Sequence, residues 1–350
     1  MNVSTDEAEK ADAEKTVARI YNSAVAASAI GAAWEVGALD RLAADGGLDI
    51  YEFADDQQLD RPAVAGLFRA LAVVGIVYRT GTKVVPAPVF AEVYRTRSFF
   101  HWLTRGSGEL FRRMPEIMRV DNRRGDFYRR DAAAVAFACR EMNSFCYNPW
   151  FAEALDQHST DIAACADLGC GSGERLLQLL RRYPGARAIG IDIAPSALDV
   201  ARGAAHDAGL ADRITLIQAD VLDLAPRPEF QDVRLLTCFM MGHDFWPRER
   251  CIATLRRLRE VFPHAERLLL GDATRSAETD NEEPPTFRLA FEFGHDLMGT
   301  FIPTVGDWES VFPEGGWRLH RTWSIGVAVG EVIFDLEPGD GRRAMQGGVA

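Results

Sequence analysis

Two copies of one triplet hold the residues of this chain best suited to chemistry. Gly242-His243-Asp244 lies in "MMGHDFW" and Gly294-His295-Asp296 in "FEFGHDLMG", with the histidines 295 − 243 = 52 residues apart, and the chain has seven histidines in all. An imidazole titrates near neutral pH, so each can serve as a general base or as a neutral metal ligand. Two imidazoles converging on one point make sense as ligands of a cation. The carboxylates beside them, Asp244 and Asp296, then qualify as further ligands, as a base, or as partners that fix ring orientation. Met240 precedes His243 by three positions, so one turn of chain brings its thioether to the same centre. Taken singly, each histidine also reads as a hydrogen-bonded wall residue. The choice depends on the elements that hold them.

The stretch "ADLGCGSGE" follows an apolar run and opens a helix, with Asp167 ahead of Gly169, Gly171 and Gly173. Closely spaced glycines let backbone turn tightly and approach a ligand. The next apolar run ends in "GIDIAP", which puts Asp192 where ribose hydroxyls can donate to it. One strand later, "IQADVLD" offers Asp220 to an exocyclic amine, with Val221 beside it. The spacing Asp-x-Gly-x-Gly-x-Gly departs from the dinucleotide pattern Gly-x-Gly-x-x-Gly. These three elements in order resemble the class I S-adenosylmethionine-dependent methyltransferases. The strand "VRLLTCF" ends at Phe239, so "MMGHDFW" emerges over the carboxyl ends of the strands, where open parallel sheets bind ligands. The expected cofactor contacts are Asp167, Gly169, Gly171, Asp192, Asp220, Val221 and Phe239.

The elements that must carry these residues alternate short apolar runs with helical stretches from Ile162 onward, the βαβ rhythm of a parallel sheet covered on both faces. "WRLHRTWSIGVAVGEVIFDLE" adds late strands at the sheet edge. Upstream, Thr16 to about Leu42 shows helical spacing rich in alanine. Residues 48–88 then read as helix, turn, helix and a hairpin with Gly81 at its turn, a winged-helix pattern. The would-be recognition helix from Pro62 offers only Arg61 and Arg69 as cations, too few to neutralise phosphates, so an oligomerisation module is preferred over DNA binding. The expected architecture is α/β: a class I methyltransferase Rossmann-like sheet with a helical, winged-helix-like N-terminal dimerisation domain. Its expected bounds are a disordered 1–15, a dimerisation domain 16–96, a helical linker and substrate lid 97–155, a catalytic domain 156–336 and a flexible tail 337–350.

Bulk properties narrow the partners. A net charge of −12 with no basic run argues against nucleic acid and anionic membrane. No segment has the roughly 18 apolar residues of a membrane span. The acidic, polar start does not read as a secretory signal. Six cysteines without paired metal spacing fit buried thiols in a reducing cytoplasm.

Longer motifs sharpen the resemblance. "ASAIGAAW", "FHWLTRGSGELFRRMP", "LLTCFMMGHDFWPRE", "LLGDATR" and "FEFGHDLMG" together resemble the metal-dependent C-methyltransferases of α-keto acids, of the phenylpyruvate C-methyltransferase type, over residues 16–336. That resemblance implies S-adenosylmethionine and one metal ion, iron or zinc, held by His243 and His295 with Met240. It implies that Arg130, Trp102 and Ser107 face the substrate. Thr300 stands where the resemblance calls for a small apolar residue. A 2-oxo acid then chelates the cation, C3 loses a proton, and the enolate takes the methyl group, with Arg130 on the carboxylate. Asp244 is one candidate base among others, and Phe99, Trp102, Phe239 and Phe245 suit an apolar substrate side chain. The resemblance further implies that the product feeds synthesis of a β-methyl amino acid for a peptide natural product. The competing readings are a metal-free small-molecule O-methyltransferase with His243 as base, and a winged-helix regulator that only senses the methyl donor. A homodimer is expected from the alanine-rich helices.

Overall fold

A computed structural model of the chain describes residues 3–157, 162–275, 283–325 and 331–339. The chain divides into two compact units, residues 1–142 and 143–350.

The first unit is helical with a small sheet. Its helices are α1 (Val3–Glu35), α2 (Ala38–Asp45), α3 (Ile50–Asp56), α4 (Arg61–Val73), α5 (Phe90–Arg95), α6 (Arg97–His101), α7 (Gly108–Arg112) and α8 (Met114–Ile117). β1 (Leu48–Asp49), β2 (Val77–Thr80) and β3 (Lys83–Pro86) form an antiparallel sheet in the order β1-β3-β2, and Gly81 turns the hairpin at φ 61°. The winged-helix pattern is therefore present. Asp49 and Asp60 cap α3 and α4 by accepting backbone N–H groups. Arg61, at the start of α4, is gripped by Asp55, which leaves it less charge to offer a phosphate. α1 begins at Val3, inside the stretch expected to be disordered, because Glu, Ala and Lys are strong helix formers and suffice to extend the helix outward. Between α6 and α7 the chain makes a π-helix, Trp102–Gly106, a form that single-residue patterning does not reveal.

α9 (Ala132–Cys146) runs across the division at 142/143, where a boundary near 155 was expected. The second unit then holds α10 (Asn148–Asp156), α11 (Glu174–Arg182), α12 (Pro195–Asp207), α13 (Arg248–Val261), α14 (Arg288–Met298) and α15 (Val305–Val311). Its strands are β4 (Ala164–Leu168), β5 (Arg187–Asp192), β6 (Ile214–Gln218), β7 (Leu235–Phe239), β8 (Arg267–Ala273), β9 (Trp317–Ser324) and β10 (Glu331–Pro338). They form one sheet in the order β6-β5-β4-β7-β8-β10-β9. β4 to β8 pair in parallel, and β10 is antiparallel to both β8 and β9. β4 and β7 are buried along their whole length, as a sheet covered on both faces requires. Strand order reverses between β4 and β7, the switch point where such sheets bind ligands. The fold is a class I methyltransferase Rossmann-like fold with a helical N-terminal region. Residues 340–350 of the expected tail lie outside the described residues, and 337–338 close β10.

Candidate active site

The glycine loop leaves β4 at Leu168 and reaches α11 with Gly169, Gly171 and Gly173 at φ 69°, 51° and 79°, left-handed values that a side chain resists. A Cβ on Gly169 would also lie 2.6 Å from Met241 Sδ. The loop is tied to the next strand: Gly169 and Cys170 donate to the Ile191 carbonyl, and Gly171 N–H donates to Asp192 Oδ2 at 2.8 Å. Asp192 Oδ1 accepts from Ala194 N–H at 2.9 Å. The carboxylate thus braces the loop with one lone pair per oxygen and keeps the others for a ligand. Asp220 caps a 3-10 turn over Val221–Asp223 by accepting from Leu222 N–H, and Val221 is buried there.

Asp167 is buried at the end of β4, beside its parallel partner Thr237 on β7, whose hydroxyl donates to Asp167 Oδ1 at 2.6 Å. Burial pushes its carboxyl up to about 6, against the opposing pull of the Arg175 guanidinium. Phe239 ends β7 with its ring edge-on to Tyr147 and Phe151. Gly271 on β8 makes room for that ring, since a Cβ there would meet it at 2.2 Å.

Immediately after β7, Met240 adopts φ 55° and its sulfur accepts the Tyr147 hydroxyl at 3.0 Å. His243 follows on a 3-10 turn, Gly242–Phe245, and is buried. Its Nδ1 lies 2.8 Å from Asp272 Oδ1 on β8. Gly242 permits this approach, because a Cβ there would stand 2.8 Å from Asp272 Oδ2. His295 is buried on α14, and its Nδ1 lies 2.7 Å from the Phe291 carbonyl one turn back. A carbonyl can only accept, so His295 carries its proton on Nδ1, and the Asp272 carboxylate favours the same tautomer at His243. Both rings therefore present Nε2 as the nitrogen with the lone pair. Their centroids are 5.3 Å apart with planes at 85°.

Those two imidazoles fit one shared cation. Metal–nitrogen bonds of about 2.0–2.1 Å hold two ligand rings with centroids roughly 5 Å apart. Metal-binding histidines also characteristically donate the other ring N–H to a carboxylate or carbonyl. Among the described residues no group of three or more His, Cys, Asp and Glu side chains is placed to hold a metal.

The contacts at the two Nδ1 atoms are Asp272 for His243 and the Phe291 carbonyl for His295, neither of them the carboxylate next in sequence. Asp296 pairs with Arg275, Nη2 to Oδ1 at 2.5 Å, and Asp244 is exposed. Adjacent residues on a helical turn point in different directions, so the orienting groups come from β8 and from the preceding helical turn. Asp272 was missed in the sequence; its signal is a lone carboxylate inside the apolar run "RLLLGDA". Thr300 sits just past the α14 cap, its N–H on the His295 carbonyl.

The residues expected on the substrate lie in the first unit. Arg130 stands over the Trp102 ring at 5.4 Å, and Ser107 Oγ is buried without a hydrogen-bond partner. Asp131 caps the helix that follows, and Glu141 is engaged by Arg97. Phe99 and Trp102 are buried in the same unit, Phe245 in the second.

Comparison with known proteins shows what the chain is similar to. A model of the methyltransferase domain matches residues 165–262. "Methyltransferase ungE'" of Aspergillus campestris is 49% identical over 334 residues, 93% of this chain and 98% of that protein. "Indolepyruvate C-methyltransferase" of Streptomyces griseus is 33% identical over 164 residues, 46% of this chain and 48% of that protein. The structure of the mitomycin 7-O-methyltransferase MmcR superposes with a TM-score of 0.64 at 20% identity, covering 95% of this chain and all of that one, a likeness of fold.

Proposed function

We propose a C-methyltransferase that alkylates C3 of a 2-oxo acid, on the premise that this chain belongs to the S-adenosylmethionine-dependent methyltransferase family. The observation that supports it most is the pair of buried imidazoles, His243 and His295, each with Nδ1 engaged and 5.3 Å between ring centres. Indolepyruvate, named for one relative, is itself a 2-oxo acid.

His243 and His295 are the residues that would hold the metal. When bound, a cation of this kind acts as a Lewis acid on the keto group of a chelating 2-oxo acid and makes C3 more acidic. Asp272 and the Phe291 carbonyl keep the two Nε2 atoms aimed, so that no ring rotation is needed to bind. The substrate carboxylate is assigned to Arg130, whose planar fork matches two oxygens, with Trp102 and Ser107 as further contacts. Thr300, close to His295 in sequence, is assigned to the substrate side. Asp167, the glycine loop, Asp192, Asp220, Val221 and Phe239 are assigned to the methyl donor. Transfer forms a C3–CH3 bond as the sulfonium carbon–sulfur bond breaks; the C3 proton goes to a base, for which Asp244 is the nearest carboxylate in sequence to His243. The neutral thioether of the donor leaves, and the product is a 3-methyl-2-oxo acid. A β-methyl amino acid is one amination away.

A second reading has its own observation. The His243–Asp272 contact is also the geometry of a carboxylate-oriented general base, which would deprotonate a hydroxyl for O-methylation. Incubation with the methyl donor and a panel of 2-oxo acids, phenols and carboxylic acids separates the two. The C-methylation reading expects turnover of 2-oxo acids bearing C3–H, and turnover confined to phenols overturns it.

A further inference from the structure

Three buried rings follow one another at four-residue spacing from the head of α14: Phe287, Phe291 and His295. Residues four apart share one face of a helix, so the rings form a column. Their centroids are 5.6 Å apart for Phe287 and Phe291 and 4.1 Å apart for Phe291 and His295. The column meets His243 edge-on, with the Phe291 and His243 centroids 6.2 Å apart and the planes at 89°. Phe291 is therefore in ring contact with both imidazoles, one carried by α14 and the other by the turn after β7.

The two imidazoles are anchored differently. His243 has a carboxylate of a neighbouring strand on Nδ1, whereas His295 Nδ1 lies 2.7 Å from a carbonyl of its own helix. A helical carbonyl faces the N–H four residues on and keeps a second lone pair, which this imidazole takes. One hydrogen bond fixes a point on a ring and leaves its plane free to swing. The flat side chain of Phe291, packed on His295 at 46°, supplies the second constraint. Phe291 stands in turn on Phe287, which adopts φ 83°. A bulky residue resists that left-handed state and keeps it only where its surroundings over-determine it. Burial of the Phe287 ring against Phe291 is such a surrounding, so strain at the head of α14 is accepted where it completes the column.

We infer that Phe291 is a positioning residue of the imidazole pair: its ring is the spacer that sets the separation and angle of His243 and His295, and its carbonyl fixes the proton on His295 Nδ1. Without the ring, His295 turns about its Nδ1 hydrogen bond and carries Nε2 away from the point shared with His243. The consequence for metal binding rests on the reading of the pair as ligands; the orientation itself does not.

Titration with Co2+ alone, whose visible bands report the geometry of its ligands, tests it. Phe291→Leu keeps an apolar side chain and the carbonyl but loses the flat face, and Phe291→Tyr keeps the face. Phe291→Leu is expected to bind Co2+ about 10-fold more weakly with altered bands, the scale on which surrounding groups tune a ligand, and Phe291→Tyr to stay near wild type. S-adenosylhomocysteine should bind both variants as it binds wild type, which a general loss of folding would not allow. Wild-type affinity and bands in Phe291→Leu overturn the inference, and so does a loss of Co2+ matched by a loss of S-adenosylhomocysteine. Phe291→Met fills the same space with an unbranched chain and carries the same expectations should the first variant not fold. Wild type that takes up no Co2+ refutes the metal reading instead. The spacer is then read from nuclear Overhauser contacts between the two imidazoles in metal-free protein, expected in wild type and Phe291→Tyr and lost in Phe291→Leu. Contacts kept in Phe291→Leu overturn it.

Discussion

His243 Nδ1, on the turn that follows β7, lies 2.8 Å from Asp272 Oδ1 on the neighbouring parallel strand β8, 29 residues along the chain. The contact fixes which ring nitrogen faces the site. Asp272→Asn keeps the shape and lets the amide turn its NH2 toward the ring, which favours the wrong tautomer. Activity is expected to fall about 10–100-fold, with metal affinity falling in parallel. Steady-state kinetics and metal analysis of the purified variant measure both; full activity would show that the contact is structural.

Removing an imidazole that the proposal assigns to the metal should cost more. His295→Ala is expected to lose about three orders of magnitude in methylation, the scale of Lewis-acid stabilisation, and to lower bound metal. Its affinity for S-adenosylhomocysteine should stay near wild type. Retained activity in metal-free buffer would contradict the assignment of His295.

Asp167 sets a pH dependence of stability. Its folded pKa of about 6 lies above the ordinary 3.8, because burial disfavours the charged form. The stability it contributes is therefore fully present below about pH 4 and is lost as pH rises through about 6. Asp167→Asn removes that loss, so without donor the variant should gain on the order of 2–3 kcal/mol at pH 7.5 relative to wild type. The same change should weaken donor binding. Denaturant unfolding at pH 5 and 7.5 checks the sign: the variant's advantage must shrink at the lower pH.

The surface of α1 gives a prediction about assembly. Val17, Ile20, Tyr21 and Val25 are 66%, 67%, 73% and 50% exposed at helical spacing. A stripe of this kind on a long helix fits burial against a second copy. The wild type is expected to run at twice the chain mass by light scattering, and Ile20→Asp with Tyr21→Asp to run at the chain mass.

The glycine loop and the strands around it were legible because their signals are local. Apolar runs mark strands, and glycines with φ above 50° can be read from their own identity. The histidine pair was legible as a repeated triplet, yet its orienting groups were not. Asp272 reaches His243 only because β7 and β8 are adjacent in the sheet, and sheet order is not written locally. Arg175 looks like a surface arginine in "ERLLQLLRR"; the clue is that it precedes buried Leu179 by four residues, on the covered face of α11. The π-helix after His101 left no trace in spacing at all.

The most direct test of carbon methylation uses the donor with a 13C-labelled methyl group, a 2-oxo acid with an aromatic side chain, and the metal-loaded enzyme. Nuclear magnetic resonance of the product reports the atom that received the label. A methyl signal coupled to a single proton on C3, absent with His243→Ala and with His295→Ala, is the result expected. An uncoupled methoxy signal that survives the loss of His295 would contradict it.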